Sequence, residues 1–186
     1  MDFTVHQGAI FASGDVIPGD SGRFRALVTG MHPRPSILYL SSDGGSFLEG
    51  VKLGYTLREI GFATRVASNT ECASACVFAF LGGVIREADG SAKVGVHMAS
   101  LMSSRNYVQK LKSILLMADI PLDTKISYII ALNEQSAAKA ATLEIGYLIK
   151  MGVSLRIMNP ITDNLQLQIH WLTRQEMRDY NVVNVD

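Results

Sequence analysis

The chemistry-bearing residues of this chain fall into three short stretches. The first is "ECASAC" (71–76), where a single hydroxyl, Ser74, stands among small residues between Cys72 and Cys76, the two cysteines of the chain. A serine at the start of an apolar helix sits near the positive end of the helix dipole. The N–H of the next residue, Ala75, is then one of the unpaired donors of the helix end and can face a developing oxyanion. The alternative is an N-cap serine in a packed helix, a role for which Ser is a favoured residue. The second stretch is "SSDGGS", whose Gly44 and Gly45 let the backbone turn sharply and offer further N–H donors; the alternative is an ordinary strand-to-helix turn. The third is "KVGVHM" (93–98), where His97 is either a packed histidine or a general base, its ordinary pKa of about 6.5 suiting proton transfer near neutrality.

The cysteines invite a metal reading, but two sulfurs at i, i+4 with no histidine nearby make a poor zinc site, and no metal is expected. A disulfide is disfavoured if both lie on one helix. Facing i, i+4 positions have Cβ atoms about 5–6 Å apart, whereas a bridge needs about 3.8 Å. The objection weakens if Cys72 precedes the helix. Small buried thiols packed under the helix are the expected state.

These stretches need elements to position them. "GAIFASGDV" (8–16) reads as a strand, "RFRALVTGM" (23–31) as a helix stopped by "HPRP", and "SILYL" (36–40) as a buried parallel strand. "FLEGVKLGYTLREIG" (47–61) has helical spacing and closes on Gly61. "FATRVAS" (62–68) is a strand, "ASACVFAFLGG" (73–83) a short apolar helix, and "VIREAD" and "KVGVHM" are strands. Strand and helix alternating in this order predict βαβ units on a mostly parallel sheet, an α/β fold with its site at the carboxyl ends of the strands. Two helices follow around Pro121. The tail "IHWLTRQEMRDYNVVNV" reads as a short strand, a helical turn capped by Thr173, and a last strand.

Composition narrows the function classes. The 186 residues suffice for one domain, 48% are hydrophobic, and 17 basic residues balance 17 acidic ones. Zero net charge gives no field for nucleic acid or a membrane surface. No run of about 18 apolar residues predicts a membrane span, and the N-terminus shows no basic region followed by an apolar stretch, so the chain as written reads as cytoplasmic. An apolar, near-neutral chain leans toward a homo-oligomer.

Together, "LYLSSDGGSFLEGVKLGYTLREIG", "ECASACVFAFLGG", "AKVGVHMAS" and "WLTRQEMRDYNVV" resemble in order and spacing the proteolytic subunit of Clp protease. They are nearer still to Clp-like bacterial proteins, often periplasmic, that carry a Cys-x-Ser-x-Cys element. The resemblance runs from about residue 8 to the C-terminus. It implies a Clp/crotonase fold, a ββα superhelix in a single domain over 1–186, with a protruding helical handle at about 105–152 used for oligomerisation. It implies Ser74 as nucleophile, His97 as base, and Gly44 or Gly45 with Ala75 as oxyanion-hole amides. No cofactor is implied. The partners implied are a peptide or protein substrate, copies of the same chain and, as an open possibility, an unfoldase.

Two departures stand out. Asp43 replaces the proline of the family's Ser-Pro-Gly-Gly, with the glycines kept. The triad acid, aligned through "WLT" (171–173), falls on Ile169, an aliphatic residue that cannot orient a histidine. Asp163 is the nearest acid if the loop folds back; Asn159, Asn164 and His170 are weaker substitutes. Three functions compete: a serine hydrolase on peptides, an impaired assembly or binding module, and an acyl-CoA enzyme of the crotonase type. The last lacks a basic cluster for the CoA phosphates.

Overall fold

The computed structural model describes residues 1–98, 105–163 and 168–185. It divides into two compact units, Met1–Met98 with Leu148–Asp186, and Ala99–Tyr147.

In the first unit, β1 (Asp2–His6) and β2 (Ala9–Ser13) form a hairpin across Gln7 and Gly8, both at positive φ. That pair of left-handed residues is what a two-residue hairpin turn demands. Helix α1 (Asp20–Thr29) leads to β3 (Ile37–Ser41), which buries Leu38 and Leu40. Helix α2 (Phe47–Ile60) starts at Ser46, whose hydroxyl accepts the Glu49 N–H at 3.4 Å, and ends at Gly61 with φ 74°. Strands β4 (Ala63–Val66) and β5 (Glu71–Ala73), helix α3 (Ala75–Leu81), and strands β6 (Arg86–Ala88) and β7 (Lys93–Val96) follow. The unit resumes with a 3₁₀ turn (Leu155–Ile157), α6 (Met158–Thr162), β8 (His170–Trp171) and α7 (Arg174–Asp179), the last held by a Thr173–Glu176 capping box.

The strands make two sheets. One has the order β1-β2-β3-β4-β6 and is parallel except for β1; the other is β5-β7-β8, with β5 and β7 parallel and β8 antiparallel. A bridge from Ser42 to Cys72 joins the extension of β3 to β5. The fold is therefore α/β with a mostly parallel sheet, as the sequence pattern predicts. The single strand between α2 and α3 is in fact two, β4 and β5, so that "ECASAC" begins in the second sheet.

The core is built on Phe24, Leu38, Leu40, Leu53, Leu57, Phe62 and Phe80, with Phe24 and Phe62 edge to face at 5.2 Å. Helices α2 and α3 meet at glycines: a Cβ on Gly50 would lie 2.2 Å from the Ala75 carbonyl oxygen, and one on Gly82 2.2 Å from that of Gly54. This backbone contact fixes the helix that starts after Ser74. Arg86 is buried and donates to the carbonyls of Gly83, Met151, Asn181 and Val182, tying β6 to the end of the chain. Among the described residues the expected last strand is absent. Asn181 turns at φ 55°, the Val182 N–H returns to the Met177 carbonyl at 2.8 Å, and Asn184 meets the β6 backbone through its N–H and its amide oxygen on Arg86. The apolar pair Val182 and Val183 is buried as a cap on the core rather than as strand.

The second unit holds α4 (Arg105–Leu115) and most of α5 (Leu122–Met151). Tyr107 donates its hydroxyl to Asn133, and Lys125 Nζ donates to the Leu115 carbonyl at 3.0 Å, closing the last turn of α4. Leu116, Leu122, Tyr128 and Ile130 are exposed, Leu116 at 82%. Among the described residues no helix is long and apolar enough to cross a membrane.

Candidate active site

The site elements converge at the carboxyl ends of β3, β5 and β7. Past β3, the Ser42 N–H donates to the Glu71 carbonyl and the Ser42 carbonyl accepts the Ala73 N–H, both at 2.9 Å. Ser42 Oγ accepts the Gly44 N–H at 3.1 Å. Gly44 and Gly45 then run at φ 115° and 133°, conformations that side chains resist. A Cβ on Gly44 would lie 2.6 Å from Ser74 Cβ and 3.1 Å from the Ala75 nitrogen; one on Gly45 would strike the Val16 carbonyl at 2.4 Å. The glycine turn therefore survives the presence of Asp43, which is exposed. Val16 spends both its polar groups on this segment, its N–H on the Gly44 carbonyl and its carbonyl on the Ser46 N–H. In a parallel bridge the opposed residue, Gly45, then turns its own N–H to the other side, where β5 lies. Among the described residues that N–H has no acceptor, whereas that of Gly44 is taken.

Ser74 adopts φ 56°, ψ −124°. Such a conformation costs a non-glycine residue on the order of 1–3 kcal/mol and persists only where its surroundings over-determine it. Here the Ser74 N–H donates to the Gly95 carbonyl at 2.9 Å, its carbonyl accepts the Val77 N–H at 3.0 Å, and Gly44 closes over Cβ. The hydroxyl makes no cap hydrogen bond to α3, so the N-cap reading of Ser74 does not hold for its side chain. The residue is half-buried, on a sharp turn from strand to helix, the arrangement that presents a nucleophile. Ala75, next in line, heads α3, where first-turn N–H groups have no helical partner.

His97 lies directly after β7. The β5–β7 register pairs Ala73 with Gly95, so Ser74 and His97 leave neighbouring parallel strands at the same edge. The His97 Nδ1 is 3.0 Å from the Met98 carbonyl oxygen. A carbonyl only accepts, so this contact assigns the proton to Nδ1 and leaves the Nε2 lone pair available. No hydrogen bond joins Ser74 Oγ to the His97 ring or Asp163 to His97 among the described residues; Asp163 is exposed at the end of α6. Asn159 is in α6, and Asn164 lies outside the described residues. His170 is engaged elsewhere, its Nε2 3.0 Å from Glu176 Oε1. Burial raises the Glu176 pKa, but the Thr173 N–H and hydroxyl and the His170 ring together outweigh it and hold the carboxyl below its ordinary value. The β7–β8 pairing sets His170 opposite Val96, with Ile169 directly before the paired residues. Ile169 lies over Gly95, its Cγ2 2.5 Å from where a Gly95 Cβ would stand.

Cys72 and Cys76 are bonded to each other, with Cα atoms 5.3 Å apart and both residues fully buried. This corrects the expectation of packed free thiols. Because Cys72 belongs to β5 and Cys76 to α3, the pair is not two helical positions, and the distance objection lapses. Among the described residues no cluster of His, Cys, Asp and Glu could hold a metal ion. A polar cleft of about 450 Å³ adjoins the glycine segment, with Asp15, Asp43 and Glu71 on its walls.

No family model matches the chain, and no curated protein does. Solved structures do: the fold is ClpP-like. Among them, a mutant of ClpP1 from Listeria monocytogenes matches with a TM-score of 0.55 over 94% of this chain and 88% of that one, at 14% sequence identity.

Proposed function

We propose that the chain is a serine peptidase-like hydrolase acting on peptides. The observation that carries this reading is the strained turn at Ser74, whose hydroxyl caps nothing and whose Cβ is walled by Gly44. In this reading Ser74 Oγ attacks the scissile carbonyl carbon and its proton passes to His97 Nε2, the ring being held by Nδ1–H donation to the Met98 carbonyl. The oxyanion is met by the Ala75 N–H and the Gly45 N–H, with Gly44 shaping the approach. His97 then protonates the leaving amine, and water attacking by the same route releases the acyl group. Substrate lies extended beside the glycine segment, pairing with those of its backbone groups that β5 and Val16 leave unbonded. Asp163 enters as an orienting acid only if it moves to His97. The exposed apolar residues of the α4–α5 hairpin serve self-association, within a single domain of 1–186.

Incubation with a mixture of unstructured peptides, read by mass spectrometry, tests this. Cleavage should fall at least about 10³-fold in Ser74→Ala and in His97→Ala. Cleavage unchanged in Ser74→Ala would refute it. One observation favours a second reading, a catalytically impaired assembly or binding module: among the described residues no acid is hydrogen-bonded to His97. That reading predicts no cleavage by the parent chain and unchanged assembly in the Ser74→Ala, His97→Ala double variant.

A further inference from the structure

From Cys72 and Cys76 we infer a positioning role: their disulfide is the clamp that holds the Ser74 turn in its reactive conformation, so that the nucleophile works only in the oxidised chain. This rests on the reading of Ser74 as nucleophile. The bridge spans the strained residue symmetrically, two positions to either side. One sulfur is anchored in β5, where Cys72 pairs with Val94 and bridges to Ser42. The other is anchored in the first turn of α3, which is seated on α2 through Gly50. The backbone hydrogen bonds of Ser74 itself run to Gly95 and Val77 and fix its two peptide groups separately. The disulfide is the covalent link that sets the strand end and the helix start at a fixed separation. Released, the short run Ala73-Ser74-Ala75 can relax from positive φ toward an ordinary helical or extended conformation. That relaxation moves the hydroxyl away from His97 and the amides, and a displacement of about 1 Å at a reacting group costs about 100-fold in rate.

Both half-cystines are fully buried, so the clamp is not positioned as an exposed, rapidly exchanging switch. Persistence of such a bridge requires an oxidising compartment. Opening it takes a dithiol, which supplies two electrons and two protons to give the Cys72 and Cys76 thiols and itself closes to a disulfide.

The test compares oxidised protein with the Cys72→Ser, Cys76→Ser double variant and with dithiol-reduced parent, under conditions where circular dichroism stays native. Two readouts are taken: the rate of Ser74 labelling by a fluorophosphonate, and amide hydrogen exchange over residues 71–77. The expected result is a fall of about 100-fold in the maximal labelling rate, with little change in half-saturating reagent concentration. Exchange should quicken in that segment alone, and reoxidation of the reduced parent should restore both. Equal labelling and equal exchange in all three forms would overturn the inference and leave the Ser74 reading intact. If even the oxidised chain is not labelled, the Ser74 reading fails, and local exchange alone decides whether the bridge holds the turn. Should the double variant not fold, the reduced parent supplies the comparison.

Discussion

At the scale of single residues, the decisive pair is Ser74 and the backbone that bends it. A residue at φ 56°, ψ −124° with its hydroxyl uncapped is held there by Gly44, Gly95 and Val77. Gly44→Ala would place a methyl group 2.6 Å from Ser74 Cβ at a φ of 115°. It should destabilise the fold by about 2–4 kcal/mol and abolish fluorophosphonate labelling, checked by chemical denaturation and intact mass. Ile169 permits the opposite experiment. It directly precedes β8, whose His170 pairs with Val96 beside His97, and is 38% exposed, so a carboxylate there keeps contact with water. Ile169→Asp gives the imidazolium an anionic partner and should raise the labelling rate at least about 10-fold, toward the roughly 10⁴-fold that an orienting acid is worth. No gain would mean that the Met98 carbonyl already orients the ring or that His97 is not the base. Residue type and spacing single out Ser74, His97 and the glycine pair as candidates, whereas the acid position at Ile169 comes from the resemblance alone. They miss the Cys72–Cys76 bond, because the geometry of that pair turns on where a strand ends. A three-residue strand carries almost no periodic signal.

At the scale of elements, the long periodic segments were legible: α2 with its Gly61 cap, α5, and the buried parallel strands. The shortest elements were not. Strand β5 and helix α6 are too brief for periodicity, and β1 is hidden by a Gln-Gly turn in place of the commoner Asn-Gly. The tail misled because two adjacent valines read as strand but serve as a core cap. Helix α5 carries a titratable element of its own. Glu144 is buried, one of its carboxyl oxygens has no partner among the described residues, and burial raises its pKa from 4.5 to about 7. The folded chain therefore keeps this proton to about pH 7, while the unfolded chain loses it near 4.5. The associated stability is complete below pH 4.5 and is lost as pH rises toward 7, a difference of about 3 kcal/mol at most. Denaturation at pH 5 and pH 8 should show this fall in the parent, and Glu144→Gln should flatten it. Glu176, held below its ordinary value, acts in the opposite sense and only in acid.

At the scale of the whole molecule, the ClpP-like fold was legible from the ordered set of motifs, and the structural likeness supports it at an identity too low for sequence comparison alone. Leu116, Leu122 and Ile130 expose apolar area on the Ala99–Tyr147 unit, which we propose as a self-association surface. The chain should therefore sediment as an oligomer, and Leu116→Glu with Leu122→Glu should shift it toward monomer without lowering its helical signal. A monomeric parent would exclude that role for the hairpin. All of this converges on one question, whether the turn at residue 74 presents a live nucleophile. The most direct measurement is intact-mass and peptide mapping of the oxidised chain after reaction with a fluorophosphonate. The account predicts a single phosphonyl adduct on Ser74, absent in Ser74→Ala and strongly slowed in His97→Ala; an unreactive chain at high reagent concentration, or an adduct on another residue, would contradict it.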